Sequence, residues 1–278
     1  MKLYRLKSGI LLEHENNYYL TMEVDWDRLL NQDNLYQVLE IEISGNRPIA
    51  NGPKLLQEEL LAPIERQEVW ASGVTYYRSR NARMEESKSG GGGNFYDKVY
   101  DADRPELFFK ATASRTVGSN DFVNIRKDST WNVPEPELTL FINAKGVISG
   151  YTIGNDMSSR SIEGENPLYL PQAKTYDRSA ALGPGIYVPK GKIEPDTRIT
   201  MEIVRNKTYI FNESISINQI KRSHEELVEY LYRECSFPHG CFLMTGTGII
   251  PPSDFTLASG DEIRITINEI GTLVNKVS

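Results

Sequence analysis

The stretch VPEPELTLF, Val133 to Phe141, carries the pattern that decides the fold. It opens with two glutamates, Glu135 and Glu137, and continues as an apolar, alternating run. Proline cannot donate to the hydrogen-bond ladder of a sheet, so Pro134 and Pro136 indicate the beginning or an irregular edge of a strand. Residues i and i+2 of a strand point to the same side, so both glutamates are predicted to share one face.

The sequence that follows, FINAKGVISGYTIGND, predicts a hairpin. Pairing Ile142 with Val147 aligns an apolar face made of Leu138, Leu140, Ile142, Val147, Tyr151 and Ile153. The same register puts the glutamates on the other face, with Gly154 opposite Glu135 and Asp156 diagonal to it. A glycine bulge in the turn would shift this register by one residue and separate the carboxylates.

Three carboxylates on one face form a candidate metal site: Glu135, Glu137 and Asp156. Clustered anions repel one another and become protonated or drift apart unless a cation holds them. Oxygen ligands suit a hard divalent ion, namely Mg²⁺, Mn²⁺ or Ca²⁺, whereas zinc would recruit nitrogen or sulfur ligands. The histidines form no ligand motif, because His14, His224 and His239 are far apart in the sequence. Ordinary solvated acids are the alternative if that face is exposed.

The 278-residue chain has a globular composition, with 39% hydrophobic and 25% charged residues. A formal net charge of -7 provides no positive field for a phosphate backbone, so nucleic acid is not expected as the main partner. No apolar run approaches the length of a membrane span or of a signal peptide, and no membrane partner is expected. Cys235 and Cys241 are too few for a disulfide framework, so we expect a cytoplasmic protein with reduced thiols.

Composition divides the chain near residue 65. Residues 1–65 contain short strand patterns and one helical patch, WDRLLNQ, and are predicted to form a small N-terminal α+β domain. Residues 66–278 are mostly short β-rich runs with two helical candidates, MSSRSIEGEN and INQIKRSHEELVEYLYRE. The predicted fold class is therefore α+β, mainly β. Within the larger region, Gly90–Gly93 predicts a mobile loop that is either a plain connector or a lid over a site.

Three long motifs resemble the fumarylacetoacetate hydrolase family in order and spacing. They are VPEPELTLF, the run from GYTIGNDMSSRS to SAALGP, and LMTGTGIIPPSDFTLASGDEIRITINEIGTLVN. The resemblance covers residues 66–278 and implies a mixed β-roll or sandwich with few helices. In that family the E-x-E pair and a downstream aspartate hold a divalent metal, usually magnesium, which chelates a 2-oxo acid. This implies Glu135, Glu137 and Asp156 as ligands, with Asp156 also near the substrate.

Further motifs are similar to the family's 2-keto-3-deoxy-D-arabinonate dehydratase subgroup: VWASGVTYY, YDKVYDADRPELFFKAT and ENPLYLPQAKTY. That resemblance implies a magnesium-dependent hydro-lyase of pentose breakdown, whose product is 2,5-dioxopentanoate. Family members that hydrolyse carbon-carbon bonds typically carry a His-Glu pair on or near a lid. Here no histidine lies between His14 and His224, and the lid segment offers instead Tyr76, Tyr77, Arg78, Glu85 and Glu86. The missing histidine argues against hydrolysis.

The resemblance also implies roles around the metal. Glu106, in the dehydratase-like RPELFFK, is the preferred proton-transfer residue, and a surface charge before a strand is its alternative. Lys174, in QAKTYD, matches a family lysine that contacts the substrate's oxo group or moves a proton. Lys110 is expected to direct its charge at the substrate or at the carboxylates. The hydroxyl candidates for binding substrate oxygens are Ser72, Thr245 and Thr247.

Two other interpretations remain open. One is another reaction of the family, either hydrolysis of a diketo acid or isomerisation of a hydroxy-dienoate. The other is a non-catalytic 2-oxo-acid binder, which would have less need of the charged set Glu106, Lys110 and Lys174. A homodimer or homotetramer is expected, because family members generally pair through this domain.

Overall fold

The structure, a computed structural model, describes residues 1–78 and 99–278. The predicted loop at Gly90–Gly93 and the lid candidates Glu85 and Glu86 lie outside the described residues. The strands are β1 Lys2–Leu6, β2 Gly9–His14, β3 Asn17–Leu20, β4 Glu68–Gly73, β5 Glu106–Thr112, β6 Thr116–Val117, β7 Phe122–Val123, β8 Asn132–Ile142, β9 Ile148–Ser159, β10 Ala180–Tyr187, β11 Arg198–Arg205, β12 Thr208–Ser216, β13 Cys241–Met244, β14 Glu262–Ile267 and β15 Gly271–Val277.

The α-helices with described bounds are α1 Trp26–Leu30, α2 Leu35–Gly45, α3 Gly52–Glu59, α4 Arg160–Glu165, α5 Leu170–Lys174 and α6 His224–Tyr232. Each predicted helical patch contains one of them, namely α1, α4 and α6. Helix α6 begins late in its patch because Ser223 caps it, its Oγ accepting the N–H of Glu226 at 3.1 Å. Within the described ranges, none of the helices is both long and apolar enough to cross a membrane.

Two sheets form the framework of the described molecule. The ten-stranded sheet has the order β3-β2-β1-β10-β9-β8-β13-β4-β5, and β6 pairs with β10. The five-stranded sheet has the order β12-β11-β14-β15-β7. Most neighbours are antiparallel, while β13 with β4, β10 with β6 and β15 with β7 are parallel. This mixed, mainly β arrangement with few helices confirms the predicted fold class.

Apolar residues cover both faces of the large sheet. One layer joins Leu138 and Ile153 of the large sheet to Ile199 and Ile265 of the small sheet. The layer on the opposite face packs around Trp26 of α1 and the apolar side of α2. Burying apolar area on both faces supplies the main stabilisation of a sheet in this position. Glu135 and Glu137 point to the same face of the sheet as Phe141, which belongs to this second layer.

Strands β8 and β9 form a long hairpin whose register differs from the predicted one. Glu135 lies directly opposite Asp156, and Glu137 lies opposite Gly154. The sequence pattern predicted Gly154 opposite Glu135, so that prediction is wrong by two residues. The predicted faces are correct, because side chains alternate with a period of two. Asp156 is therefore a direct rather than a diagonal neighbour of Glu135.

Two shifts of one residue each produce this difference. In the turn, Ile142 pairs with Ile148 instead of Val147. Gly146 adopts a left-handed φ of 77° there, and Val147 is 56% exposed, so its predicted place on the apolar face is wrong. A β-bulge between Phe141 and Ile142 adds the second shift. A single shift would have placed the third carboxylate on the opposite face.

Residues 1–65 contribute β1 to β3 and α1 to α3. Strand β1 pairs with β10, so these strands extend the large sheet. Within the segment, the indole Nε1 of Trp26 donates to the carbonyl of Pro63 at 3.2 Å. Asn31 Nδ2 bonds outside the segment, to the carbonyl of His239 at 2.9 Å. The segment is thus bonded to the rest of the chain through main-chain and side-chain contacts. Its division from residues 66–278 stays a prediction.

Candidate metal centre and active site

Three buried carboxylates converge where β8 and β9 run side by side. Glu135, Glu137 and Asp156 are 4%, 1% and 1% exposed. One oxygen from each lies within 4.8 Å of the others. Strand alternation puts both glutamates on one face, and the pairing register adds the aspartate. Carboxylate oxygens at this separation are a ligand set that suits a hard divalent cation.

Three buried cationic side chains surround two of these carboxylates. Lys174 Nζ lies 2.7 Å from Glu135 Oε2 and 2.8 Å from Asp156 Oδ2. Lys110 Nζ lies 2.7 Å from Asp156 Oδ1. An Arg160 guanidinium nitrogen lies 2.8 Å from Glu135 Oε1. These ion pairs offset part of the repulsion between the carboxylates, which the sequence pattern predicted a metal ion would relieve.

Glu137 has a different environment, since the described residues provide it with no ion pair. Its Oε2 accepts the N–H of Gly246 at 2.5 Å. Burial raises the pKa of Glu137 well above its ordinary value of 4.5, and the charges of Asp156 and Glu135 raise it further. Lys174 and the Gly246 amide oppose this shift only in part. A buried, uncompensated carboxylate is what a divalent cation would satisfy, so the residues fit the predicted metal.

Lys174 ends α5, a five-residue helix that packs over β9. From there its ammonium contacts the carboxylates of Glu135 and Asp156 and donates to Ser158 Oγ at 2.6 Å. The side chain is 1% exposed and lines the small cavity at the carboxylates. Its position beside the candidate ligands agrees with the place that the sequence motif implied. Its part in catalysis stays a prediction.

Lys110 is completely buried, and protein oxygens engage its ammonium from three directions. Nζ donates to the carbonyl of Met157 at 3.0 Å and to the carbonyl of Lys174, in addition to its ion pair with Asp156. Burial lowers the pKa of Lys110, while the neighbouring Asp156 opposes that shift. The charge of Lys110 is thus directed at the carboxylates, which is one of the two roles left open by the sequence.

Glu106 begins β5, and its carboxylate lies against the backbone of Gly73. A Cβ built on Gly73 would stand 2.2 Å from Glu106 Oε2. Gly73 lines the small cavity at the carboxylates. Glu106 itself lines a neighbouring cavity of about 600 Å³, together with Arg104 and Asn166. Glu106 therefore stands between the two cavities, and its role in proton transfer stays a prediction.

The hydroxyl candidates are placed unequally. Ser72 and Thr247 line the small cavity. Ser72 Oγ donates to the carbonyl of Glu106 at 3.0 Å, and Thr247 Oγ1 accepts a main-chain N–H at 3.1 Å. Thr245 Oγ1 donates to the carbonyl of Leu138 at 2.8 Å. All three hydroxyls thus bind main-chain groups, and Ser72 and Thr247, unlike Thr245, belong to residues that line the small cavity.

Three groups at the site were not identified from the sequence. They are the Arg160 guanidinium, the Ser158 hydroxyl and the Gly246 amide. The polar run Ser158 to Arg160 at the end of an apolar strand was the available signal for the first two. The Gly246 amide lies between Thr245 and Thr247, two of the hydroxyl candidates, and its partner is Glu137.

Comparison with protein families and curated sequences gives consistent results. Residues 75–278 match the family model described as fumarylacetoacetate (FAA) hydrolase C-terminal. A Haloferax volcanii protein named probable 2-keto-3-deoxyxylonate dehydratase is 48% identical over 217 residues, covering 78% of this chain and 74% of the relative. A Saccharolobus solfataricus protein named 2-dehydro-3-deoxy-D-arabinonate dehydratase is 38% identical over 286 residues, covering 100% of this chain and 96% of the relative.

Solved structures give the same result over the whole chain. The apo form of a 2-keto-3-deoxy-D-arabinonate dehydratase has a TM-score of 0.86 at 36% identity, covering 100% of this chain and 99% of that one. The structure of that enzyme complexed with magnesium and 2,5-dioxopentanoate has a TM-score of 0.86 at 35% identity, with the same coverage. The similarity thus includes the N-terminal residues that the family model does not match.

Proposed function

The chain belongs to the fumarylacetoacetate hydrolase family, and on that premise we propose that it is a magnesium-dependent hydro-lyase. It dehydrates a 2-keto-3-deoxy sugar acid, 2-keto-3-deoxy-D-arabinonate, to 2,5-dioxopentanoate. The observation that supports this proposal is the buried triad of Glu135, Glu137 and Asp156, together with the ion pairs that Lys174 makes to two of its members. It occurs in a chain that matches a magnesium and 2,5-dioxopentanoate complex over its full length.

The two substrate names of the relatives are chemically compatible. Once C2 is a ketone and C3 a methylene, C4 is the only stereocentre left in a five-carbon sugar acid. D-Arabinonate and D-xylonate share their configuration at C4, so their 2-keto-3-deoxy derivatives are one compound. The name of the arabinonate relative specifies the D series, and the name of the xylonate relative, which specifies no configuration, is compatible with the same substrate.

The chemistry requires the C3–H bond to become acidic. A divalent ion held by Glu135, Glu137 and Asp156 supplies Lewis-acid polarisation of the substrate's ketone when it is bound. The three cationic side chains around the triad add positive charge, which favours a substrate that carries a carboxylate. Burial of all these groups strengthens their electrostatic effect on a bound anion.

Two proton movements must then be served by this chain. One proton leaves C3, and the C4 hydroxyl departs with a proton as water, so a base and an acid are needed. We assign proton transfer to Glu106 and Lys174, because Glu106 borders the cavity and the Lys174 ammonium lies within it. Two further tautomerisations carry the unsaturation to C5, where the primary alcohol becomes the aldehyde. Water and 2,5-dioxopentanoate account for every atom of the substrate.

We assign orientation of the substrate to residues that line the small cavity. Ser72 and Thr247 line the small cavity, and we assign their hydroxyls contacts with the substrate's oxygens. Lys110 and Thr245 hold Asp156 and β8 from behind instead. Positioning of this kind is a large part of catalysis, since displacements of about 1 Å can cost roughly 100-fold in rate.

The test is direct turnover. Purified protein with Mg²⁺ and 2-keto-3-deoxy-D-arabinonate is expected to form 2,5-dioxopentanoate, detected by mass spectrometry or by an aldehyde-trapping reagent. Glu106→Gln and Lys174→Met are expected to lower kcat, and Glu40→Gln, at an exposed glutamate of α2, is the control expected to match the unaltered protein. Absence of product at every Mg²⁺ concentration would refute the assignment, and pyruvate binding without turnover would favour a 2-oxo-acid binder.

We further propose that the protein acts in the cytoplasm as a homodimer or homotetramer. Free cysteines, Cys235 exposed and Cys241 buried, suit a reducing compartment. Family members generally pair through this domain, and the exposed Met22, Val24 and Leu168 are candidates for the surface between two copies. Light scattering during size-exclusion chromatography measures the mass directly, and a monomer at all concentrations would contradict the proposal.

A further inference from the structure

Arg222 connects the start of α6 to the segment that leads into β5. The side chain is 7% exposed. One of its terminal nitrogens donates to the carbonyl of Asp103 at 3.1 Å. The other donates to the carbonyl of Val99 at 3.3 Å and to the carbonyl of Ala102. One guanidinium thus binds three carbonyls within residues 99–103, an arrangement that the planar, multi-donor group of arginine suits.

Arg222 is itself held in place by α6. Its guanidinium pairs with the carboxylate of Glu226, four residues along the chain. The N–H of Glu226 is in turn bound by the capping Ser223. Leu227 and Leu231 bury the other side of this helix in the core between the sheets. The carbonyls of residues 99–103 are therefore tied to a helix that is anchored in the core.

The held segment is short and stiff where it meets Glu106. Only Arg104 and Pro105 lie between Asp103 and Glu106. Proline has a locked φ, and a residue before proline is restricted to extended backbone, so both intervening residues have little freedom. The Arg104 guanidinium also lies over the ring of Tyr230 in α6, 5.4 Å from its centroid. A movement of the Asp103 carbonyl is therefore transmitted to Glu106 rather than absorbed.

Glu106 needs such support because it is the first residue of β5. On one side it pairs with Gly73, and Ser72 Oγ binds its carbonyl. On the other side the strand ends, and the chain continues into the segment held by Arg222. Residues at the ends of strands open more readily than central ones. Both supports hold the main chain from which the Glu106 carboxylate extends toward Gly73.

We propose that Arg222 is a positioning residue for proton transfer by Glu106, an inference that rests on the proposed function. It acts through the main chain of residues 99–105 and not by contact with the substrate. Its loss changes the placement of the proton-transfer group while the metal ligands on β8 and β9 stay in place. Chemistry is therefore affected, and binding of metal and substrate is not.

Steady-state kinetics of Arg222→Ala tests this separation. We expect kcat to fall on the order of 10- to 100-fold, with KM and the Mg²⁺ dissociation constant within about twofold of the unaltered protein. Arg222→Lys, which keeps the charge but not the fork of donors, is expected to lie between the two. The matched control is Arg205→Ala, which breaks a bond to the carbonyl of Thr256 and the ion pair with Asp261, both away from Glu106. It is expected to lower stability without lowering kcat in the folded protein.

A double-mutant cycle shows whether the effect runs through Glu106. If it does, adding Arg222→Ala to Glu106→Gln lowers kcat little further, because the group being positioned has already been lost. Equal costs in both backgrounds would overturn the inference while leaving the dehydratase assignment intact. So would a kcat for Arg222→Ala equal to that of the unaltered protein.

Amide hydrogen exchange provides a readout that needs no turnover. Arg222→Ala is expected to speed exchange at residues 99–108 and to leave β8 and β9 protected. Uniformly faster exchange would show a general loss of stability and overturn the positioning role, as would unchanged exchange at residues 99–108. Should the variant fail to fold, Glu226→Gln, which loosens Arg222 from α6, is expected to give the same local pattern in weaker form. If the unaltered protein shows no turnover, the proposed function is refuted. The exchange pattern then still shows whether Arg222 holds residues 99–108, so the two failures are distinguishable.

Discussion

Glu137 is the carboxylate of the triad that the described protein compensates least. Glu135 and Asp156 each contact two cationic side chains, whereas the bond made by Glu137 is to the Gly246 amide. A buried charge without an opposite charge is expensive, so its carboxyl tends to hold a proton. Of the three carboxylates, Glu137 is therefore the one whose charge a bound metal ion would stabilise most.

The raised pKa of Glu137 makes the stability of the metal-free protein depend on pH. From the ordinary value of 4.5 up to the raised value, the folded state binds more protons than the unfolded state. The free energy of unfolding contributed by this group therefore falls as pH rises through that window. Metal binds the deprotonated carboxylate, so Mg²⁺ affinity rises over the same window. Thermal unfolding across pH, in EDTA and in excess Mg²⁺, measures both, and a pH-independent Mg²⁺ effect would contradict the expectation.

Glu137→Gln separates the two sides of this coupling. The amide is nearly isosteric and retains an oxygen that accepts the Gly246 N–H. At alkaline pH in EDTA, Tm is expected to exceed that of the unaltered protein, because a buried charge has been removed. Mg²⁺ affinity is expected to drop by more than the roughly 10- to 100-fold typical of losing a group that only supports a ligand. Exposed Glu40→Gln is the control, and a lower Tm in EDTA would count against the argument.

Gly73 provides space for the carboxylate of Glu106. In Gly73→Ala the new methyl would stand 2.2 Å from Glu106 Oε2, and this flexible side chain would move aside at small cost in stability. We therefore expect Tm to change little, while kcat falls on the order of 10-fold or more through misplacement of the proton-transfer group. Gly45→Ala, where a Cβ meets nothing within 4 Å, is the matched control. Equal kcat in both variants would refute this role for Gly73.

At the scale of elements, the β8–β9 hairpin supplies all three carboxylates of the ligand set. Its turn and its bulge each shift the pairing by one residue, and together they preserve the face that alternation assigns to each side chain. The alternating pattern determined the face, but the length and conformation of the turn determined the partner of Glu135. The local pattern therefore predicted which side chains converge, but it did not predict which residue of β9 pairs with Glu135.

The loop after β13 adds one backbone amide to the site, and Gly246 is required there for two reasons. Its φ is +91°, and a Cβ would stand 2.0 Å from Thr75 Oγ1. Gly246→Ala is expected to cost about 1–2 kcal/mol from backbone strain alone. It should also weaken Mg²⁺ binding, because displacement of the loop withdraws the N–H from Glu137.

Gly260→Ala is the control for backbone strain. Gly260 has a similar φ of +89°, but a Cβ there would meet nothing within 4 Å. Chemical denaturation and Mg²⁺ titration calorimetry of both variants separate the two effects. Both are expected to lose stability, and only Gly246→Ala should lose Mg²⁺ affinity. Equal Mg²⁺ affinities would show that the Gly246 amide is not needed for the metal site.

At the scale of the molecule, residues 1–65 and 66–278 share one sheet and one apolar layer. Strand β1 completes the pairing of β10, and Trp26 packs with residues from both parts. We therefore expect a single cooperative unfolding transition, with tryptophan fluorescence and far-UV circular dichroism giving the same midpoint. A fragment of residues 66–278 is expected to aggregate, because it exposes the β10 edge and the apolar layer. Two separated transitions would contradict this and favour an independent N-terminal domain.

The sequence by itself determined the mainly β fold class, the shared face of Glu135 and Glu137, and the hard-oxygen chemistry of a divalent metal. These follow from side-chain alternation and residue type, which are local properties. Only the tertiary structure decided which groups complete the site. Lys174 lies 39 residues from Glu135, and Gly246 lies 109 residues from Glu137. Contacts across such separations depend on loop conformations and on the packing of distant elements. The positions of Lys174 and Lys110 near the carboxylates were therefore implied by the family resemblance and not by local pattern, while the ion pair of Arg160, the Gly246 amide and the support from Arg222 became visible only in the tertiary structure.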